Sequence, residues 1–462
     1  MRQSLDLSGL PNAFEIHTSP NALADAARAL HKACESGNVD EVDRMMSLDE
    51  KTARKLAQHP VADMTALQAA AEAGQARCVE ALLPHSNPNS ATNSGETALM
   101  LAAQQGHLDC VLALLPVSDP NARCREERTA LMKAVFVGNA PCVEALLPRS
   151  DTSRPDAWGK TLLMHAAASG DSETLRLMLP FGDPHARDRD GSTALMLAAT
   201  GEEAGSAECI RILLPLSDVK AADSVNHDTA LMTSAQIGNV ESVLALLPHS
   251  DPNAINADGR SALAFAAAEG NEACVRALVP LTCRHECDMA LIDAAQYKQP
   301  GCVRELIPHA DPKAVRPNGT TALMWAINQP NPFQAAARDE CIALLAPISD
   351  VNHQTPEGDT ALKEALAQGP RITDLVARFA DSDGRRLALD KFSADKLPQT
   401  YAAHEREVLS QLLHPGGFSA HRAADATAAQ SEPDEQPHEQ ARVARAEDFD
   451  ASRRSPRRGM RL

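Results

Sequence analysis

Apolar residues run down this chain in paired blocks separated by short polar turns. The stretch from Thr97 to Asn121 reads TALMLAAQQGHLDCVLALLPVSDPN. Leu99, Ala102 and Ala103 follow the i, i+3, i+4 spacing of one helical face. Thr97 is placed to cap that helix, since its hydroxyl can accept from a backbone N–H two or three residues on. Gly106 ends the helix, where a left-handed residue is least costly for glycine. A second helix is predicted from about His107 to Leu115, with Val111, Leu114 and Leu115 as its apolar stripe. Pro116 cannot extend a helix interior, and Ser118-Asp119-Pro120-Asn121 is turn chemistry leading into an extended finger.

The phrase Thr-Ala-Leu-Met-x-Ala-Ala is complete at Thr97 and Thr193 and recurs in altered form at Thr65, Thr129, Thr161, Thr229, Ser261, Met289, Thr321 and Thr360. Successive starts are 32, 32, 32, 32, 36, 32, 28, 32 and 39 residues apart. A period in the range of about 20–50 residues marks a stacked array in which each unit buries its apolar face against its neighbours. For 462 residues a globular reading would give two or more domains. The repeat predicts instead one elongated domain.

The helix–turn–helix–finger unit resembles the ankyrin repeat, whose signature is Thr-Pro-Leu-His-x-Ala-Ala-x-x-Gly-His followed by Val, Leu-Leu and a Gly-Ala-Asp-x-Asn turn. The resemblance covers roughly residues 28 to 379 and implies an all-α solenoid of about 10–11 stacked repeats. A front unit is recognised in Ala29-Leu30-His31-Lys32-Ala33 with Gly37, Asn38 and Val42. Two departures are systematic. The family's Pro is Ala here and its His is mostly Met, at Met100, Met132, Met164, Met196, Met232 and Met324, so pliable apolar packing is expected in place of imidazole hydrogen bonds. A proline follows the second helix at Pro84, Pro116, Pro148, Pro180, Pro215, Pro248, Pro280, Pro308 and Pro347.

Three units break the pattern. Extra residues around Glu202 to Ser206 and Pro330 to Ala337 are expected between the two helices of their units. The finger between Pro280 and Met289 is short and reads Thr282-Cys283-Arg284-His285-Glu286-Cys287. Cys-x-His-x-Cys invites a zinc or redox reading, but three donors in one short loop make a poor tetrahedron, and a clipped polar loop is the plain alternative. No metal, cofactor or catalytic residue is assigned. The chain has no phosphate-cradling Gly-rich loop, no HExxH and no Gly-x-Ser-x-Gly. Seven of the 11 cysteines share one register (Cys78, Cys110, Cys142, Cys209, Cys274, Cys302 and Cys341), with Thr174 and Ser242 standing there in other units. A small buried residue explains all nine, because successive layers, roughly 10 Å apart, lie beyond disulfide reach.

In ankyrin-like stacks the fingers and first helices line a concave groove where partners dock. The position after the Met register varies down the stack: Ala69, Leu101, Lys133, His165, Leu197, Thr233, Phe265, Asp293, Trp325 and Glu364. Such variation is what a tailored surface looks like. Phe136 and Tyr297, one turn further on, and Trp158 at a finger tip add aromatic area to the same side. Interface energy concentrates in aromatic and Arg anchors. The candidate partner-binding residues are therefore Lys133, Phe136, Trp158, His165, Phe265, Asp293, Tyr297 and Trp325. The plain alternative is that Phe265 and Trp325 pack against the next layer.

Composition narrows the classes. Aromatics make up 3% of the chain, too few for large globular cores, and the net charge of −18 argues against a nucleic-acid partner. No apolar run approaches the length of a membrane span, and the start of the chain lacks the basic and apolar blocks of a secretory signal. A cytoplasmic, non-enzymatic scaffold that binds a protein is the favoured expectation. The alternatives are a secreted or translocated effector that engages host proteins, and the regulatory subunit of a separate enzyme. By segment, residues 1–27 are expected to form a flexible leader, 28–379 the repeat array, 380–415 capping helices and 416–462 a disordered tail with a basic end at Arg453 to Arg458.

Overall fold

The computed structural model describes residues 20–201, 204–328 and 334–381. The capping helices expected after 380, the tail and most of the leader lie outside these residues. Among the described residues the chain is helical, and four isolated bridges (Val61 with Met64, Ala222 with Thr229, Ile255 with Ser261, Val315 with Thr321) pin the bases of fingers.

The unit at Thr97 shows why the sequence folds this way. Its helices run Ala98–Gln105 and Leu108–Leu114. The Thr97 hydroxyl accepts from the Met100 amide at 3.4 Å, and Gly106 turns the chain at φ 74°. Leu99, Met100, Ala102, Ala103, Cys110, Val111 and Leu114 are fully buried. One thin helix pair cannot bury all of these side chains by itself, and the core runs on from repeat to repeat.

Between repeats the polar edges are tied in series. At the turn linking the two helices, His107 Nε2 contacts the Glu72 carbonyl at 3.0 Å, Asn239 Nδ2 donates to Gly201 at 3.0 Å, and Asn271 Nδ2 donates to Ala235 at 2.9 Å. The finger tips are joined by single backbone bonds: Arg125 to Ser94, Ala157 to Glu126, Arg189 to Trp158, Ser224 to Asp190 and Ala257 to Asn226, all between 2.8 and 3.0 Å.

Several expectations need correcting. The first helix is Pro20–Ser36, so the array starts inside the segment expected to be a leader; Leu23, Ala26 and Ala27 are buried in that helix. An unforeseen helix, Glu50–Gln58, takes up the extra residues behind the front unit, with Asp49 accepting from the Thr52 amide at 3.1 Å. The prolines do not stop the chain abruptly. In five repeats the residue before each proline opens a 3-10 turn, as in Leu83–His85 and Leu179–Phe181, where the missing N–H has no partner to lose. Of the two insertions, the residues from Ala204 and from Ala335 onward lengthen second helices, Ala204–Leu213 and Ala335–Leu345, while residues 202–203 and 330–333 lie outside the described residues. Finally, the short finger is not a polar loop. Residues from Arg284 onward join the next helix, Arg284–Gln296, and bury Glu286 and Cys287.

Candidate binding groove

The eight candidate residues fall into two groups on the finger side, each organised by arginine. In the first, Arg128 closes a finger immediately before the capping Thr129. Its guanidinium lies 5.3 Å from the Phe136 ring centroid and 4.9 Å from that of Trp158. Flat cation–π contacts of this kind are worth about 0.5–1 kcal/mol at exposed sites. The same guanidinium pairs with Glu126 at 3.1 Å and with Asp156 at 3.4 Å.

Asp156 is the hinge of this group. Its Oδ1 accepts from the Trp158 and Lys160 amides, both at 2.9 Å, which shapes the finger turn carrying Trp158. Its Oδ2 contacts His165 Nε2 at 3.0 Å. Burial pushes this carboxyl up, but His165 and the two amides outweigh burial and hold it at about 2. His165 also meets Phe136 edge-on, with ring centroids 5.9 Å apart. On the other side, Lys133 Nζ bonds Glu96 and, at 2.8 Å, Gln104 Oε1. A groove of about 720 Å³ opens here, lined by Glu96, Gln104, Arg125, Arg128, Lys133 and Phe136 among others.

The second group spans the place where a finger is missing. Arg260 lies 4.7 Å from the Phe265 ring and 5.8 Å from the Tyr297 ring, and Arg316 lies 5.9 Å from the Trp325 ring. Both arginines converge on Asp293, Arg316 by a direct hydrogen bond and Arg260 Nε at 3.9 Å. Burial of Asp293 raises its carboxyl above the usual range despite these two cations. The Trp325 indole donates to Thr320 Oγ1 at 2.8 Å.

The structure therefore separates the candidates by depth. Phe136, Trp158 and Tyr297 are exposed at 48, 40 and 44%. Trp325 is half-buried against the core. Lys133, His165, Phe265 and Asp293 are buried, because the fingers and their arginines roof the position that follows the Met register. These four hold the groove's shape, and its outer surface lies one helical turn later. The arginines were not foreseen. Their signal was available in Arg128 and Arg260, which stand just before the capping Thr129 and Ser261, a place filled by Glu96, Lys160 and Ser192 in other repeats.

Comparison with known proteins bears on the architecture. A model of ankyrin repeats in sets of three matches residues 30–125, 69–156, 131–223, 201–289 and 291–386. The solved structure of the human ASB11 ankyrin repeat domain is similar at 25% identity, over 46% of this chain and 97% of that one, with a TM-score of 0.41. No curated protein matches the sequence. No described helix is long and apolar enough to cross a membrane.

Proposed function

The chain belongs to the ankyrin repeat family, and from that premise we propose that it is a non-enzymatic scaffold that binds a protein partner along its finger-side groove. Ankyrin repeats are general protein-interaction modules. The observation that carries the reading is the placement of Phe136, Trp158 and Tyr297. All three rings stand partly exposed on one side and are held in place by arginines stacked on them. Rigid aromatic area beside Arg is the usual composition of interface anchors. The buried groups beneath, Asp156, His165 and Asp293, would keep these anchors ordered before binding, which lowers the entropy lost on association.

The test places a photo-crosslinking amino acid at 158 or 297 of the full chain, and in parallel at the exposed positions 112 or 281 away from the groove. Groove positions should crosslink to a protein in extracts of the cells that express the chain. Trp158→Ala and Tyr297→Ala should each weaken that complex by about 2 kcal/mol. Crosslinks from 112 and 281 alone, with unchanged affinity of both variants, would reject the groove as the docking face.

A further inference from the structure

We infer that the chain's own C-terminal end, Arg453 to Leu462, docks on the outer face of the second helices in the N-terminal repeats, its arginines seated between carboxylates paired across two joints of the stack. The register shows which groups are missing there. Arg176 reaches forward to Glu208 of the next repeat at 2.8 Å, and Arg304 reaches Glu340 at 2.5 Å. Each arginine stands two residues after the cysteine register, and each glutamate one residue before it in the following repeat. The same two places hold Glu80 with Asp109, and Glu144 with Glu173. All four acids are exposed, and none has a cation paired with it among the described residues.

Like charges set at facing positions repel, and no arginine of the array answers these two pairs. Between the two acidic joints stands Leu112, 52% exposed, with Pro141 in the facing place. A hollow of about 460 Å³ opens at the first joint, lined by Ala76, Glu80, Asp109, Leu112 and Ala113. Arginine suits such a surface, because its stem can lie along a leucine while its planar fork takes a carboxylate.

The C-terminal end has that chemistry. The last ten residues carry five arginines (Arg453, Arg454, Arg457, Arg458 and Arg461) and no acid, on a chain of net charge −18. The two joints are two layers, roughly 20 Å, apart, and Arg453 and Arg458 can be separated by about 17 Å of chain. Reach is not limiting. The 72 positions from Asp381 to Arg453 cover at most about 240 Å, against roughly 90 Å of stacked repeats. The second helices face away from the groove, so this contact stands or falls independently of any partner held there.

A photo-crosslinking amino acid at position 112 of the purified full-length protein tests the contact. The control is position 244, which holds the same place in the Thr229 repeat and is 55% exposed. Position 112 should crosslink to peptides from 453–462 about tenfold more than position 244 does. Combining Glu80→Gln, Asp109→Asn, Glu144→Gln and Glu173→Gln should cut that yield by about tenfold, as several weak exposed pairs together supply. Raising NaCl from about 0.05 M to about 0.5 M should do the same by screening. Changing the five tail arginines to Gln should match the acid variant without touching the array.

Mixing nitrogen-15-labelled and unlabelled protein identifies the source of the tail, and crosslinks should join segments of one label only. Crosslinks between labelled and unlabelled copies would overturn the contact in favour of a second copy's tail. Equal yields at 112 and 244, or a yield unmoved by the substitutions or by salt, would overturn it outright. So would a separate basic protein captured at 112 in cell extracts in place of the tail.

Discussion

Gln68 and Met100 occupy the same place in successive repeats, and the difference between them is a direct view of what the Met substitution does. Gln68 Nε2 crosses to the next finger and donates to the Ser90 and Glu96 carbonyls, both at 3.0 Å. Methionine cannot donate. In the Thr161, Thr193 and Thr229 repeats its sulfur instead lies 3.4 to 3.5 Å from the capping threonine's own amide. His31 is the third variant of the position. Burial pushes its imidazole down to about 4. As pH falls, the unfolded chain takes up this proton near 6.5 and the folded chain only near 4, so stability is full above the first value and is lost between the two. Chemical denaturation should show the N-terminal repeats losing about 2 kcal/mol between pH 7 and pH 5, and His31→Gln should flatten that dependence. Cysteine obeys the same physics with the opposite sign. Burial raises the thiols of Cys110, Cys142, Cys209 and Cys274 to about 11 and those of Cys34, Cys302 and Cys341 to about 12. Cys283 alone is exposed. A maleimide pulse on the native protein, read by peptide mass, should modify Cys283 and spare the other ten.

Among elements, the unit at Met289 departs furthest from the pattern. Its first helix absorbs the finger, and at its end Lys298 stands where other repeats have glycine, in the left-handed region at φ 59°. The lysine is held there by its side chain. Nζ donates to the Trp325 and Asn328 carbonyls at 2.7 and 2.9 Å and to Gln296 at 3.1 Å, closing the C-terminal end of the next repeat's helix Ala322–Ile327. Burial lowers this ammonium to about 8. Lys298→Ala keeps the same backbone strain and removes only these bonds, so it should destabilise the C-terminal repeats by about 2 kcal/mol. Calorimetry of the two proteins measures the difference; an unchanged melting profile would mean that solvent satisfies the three carbonyls equally well.

At the scale of the molecule, the helices of the described residues that pack closely on one another belong to the same or to adjacent repeats. The backbone bonds between finger tips run from Ser94 to Ala257 and stop where the finger is missing; there Arg260, Asp293 and Arg316 take over the bridging by side chains. A chain held in this way has no global core to enforce a single transition. Leu195, buried in the five-residue helix Ala194–Ala198, lies near the middle of the array. Leu195→Ala should cost about 2–5 kcal/mol locally. It should also divide urea unfolding, followed by circular dichroism, into two steps. A single sharp transition shifted as a whole would show stronger coupling along the stack than nearest-neighbour contacts supply.

Residue types at fixed spacing determined the repeat, the caps and the buried face. Thr97, Leu99, Gly106 and Cys110 act within a turn or two of their own backbone, or against an identical copy 32 residues away. The same periodicity placed Phe136, Trp158 and Tyr297 on one side. What the spacing could not carry is depth and pairing. Whether Lys133 or Phe265 meets solvent depends on the finger that folds over it from another repeat. The convergence of Arg260 and Arg316 on Asp293 arises because a missing finger brings together residues 56 positions apart. Local physical chemistry writes the brick, and only the stacked structure decides which polar groups find partners across the joints.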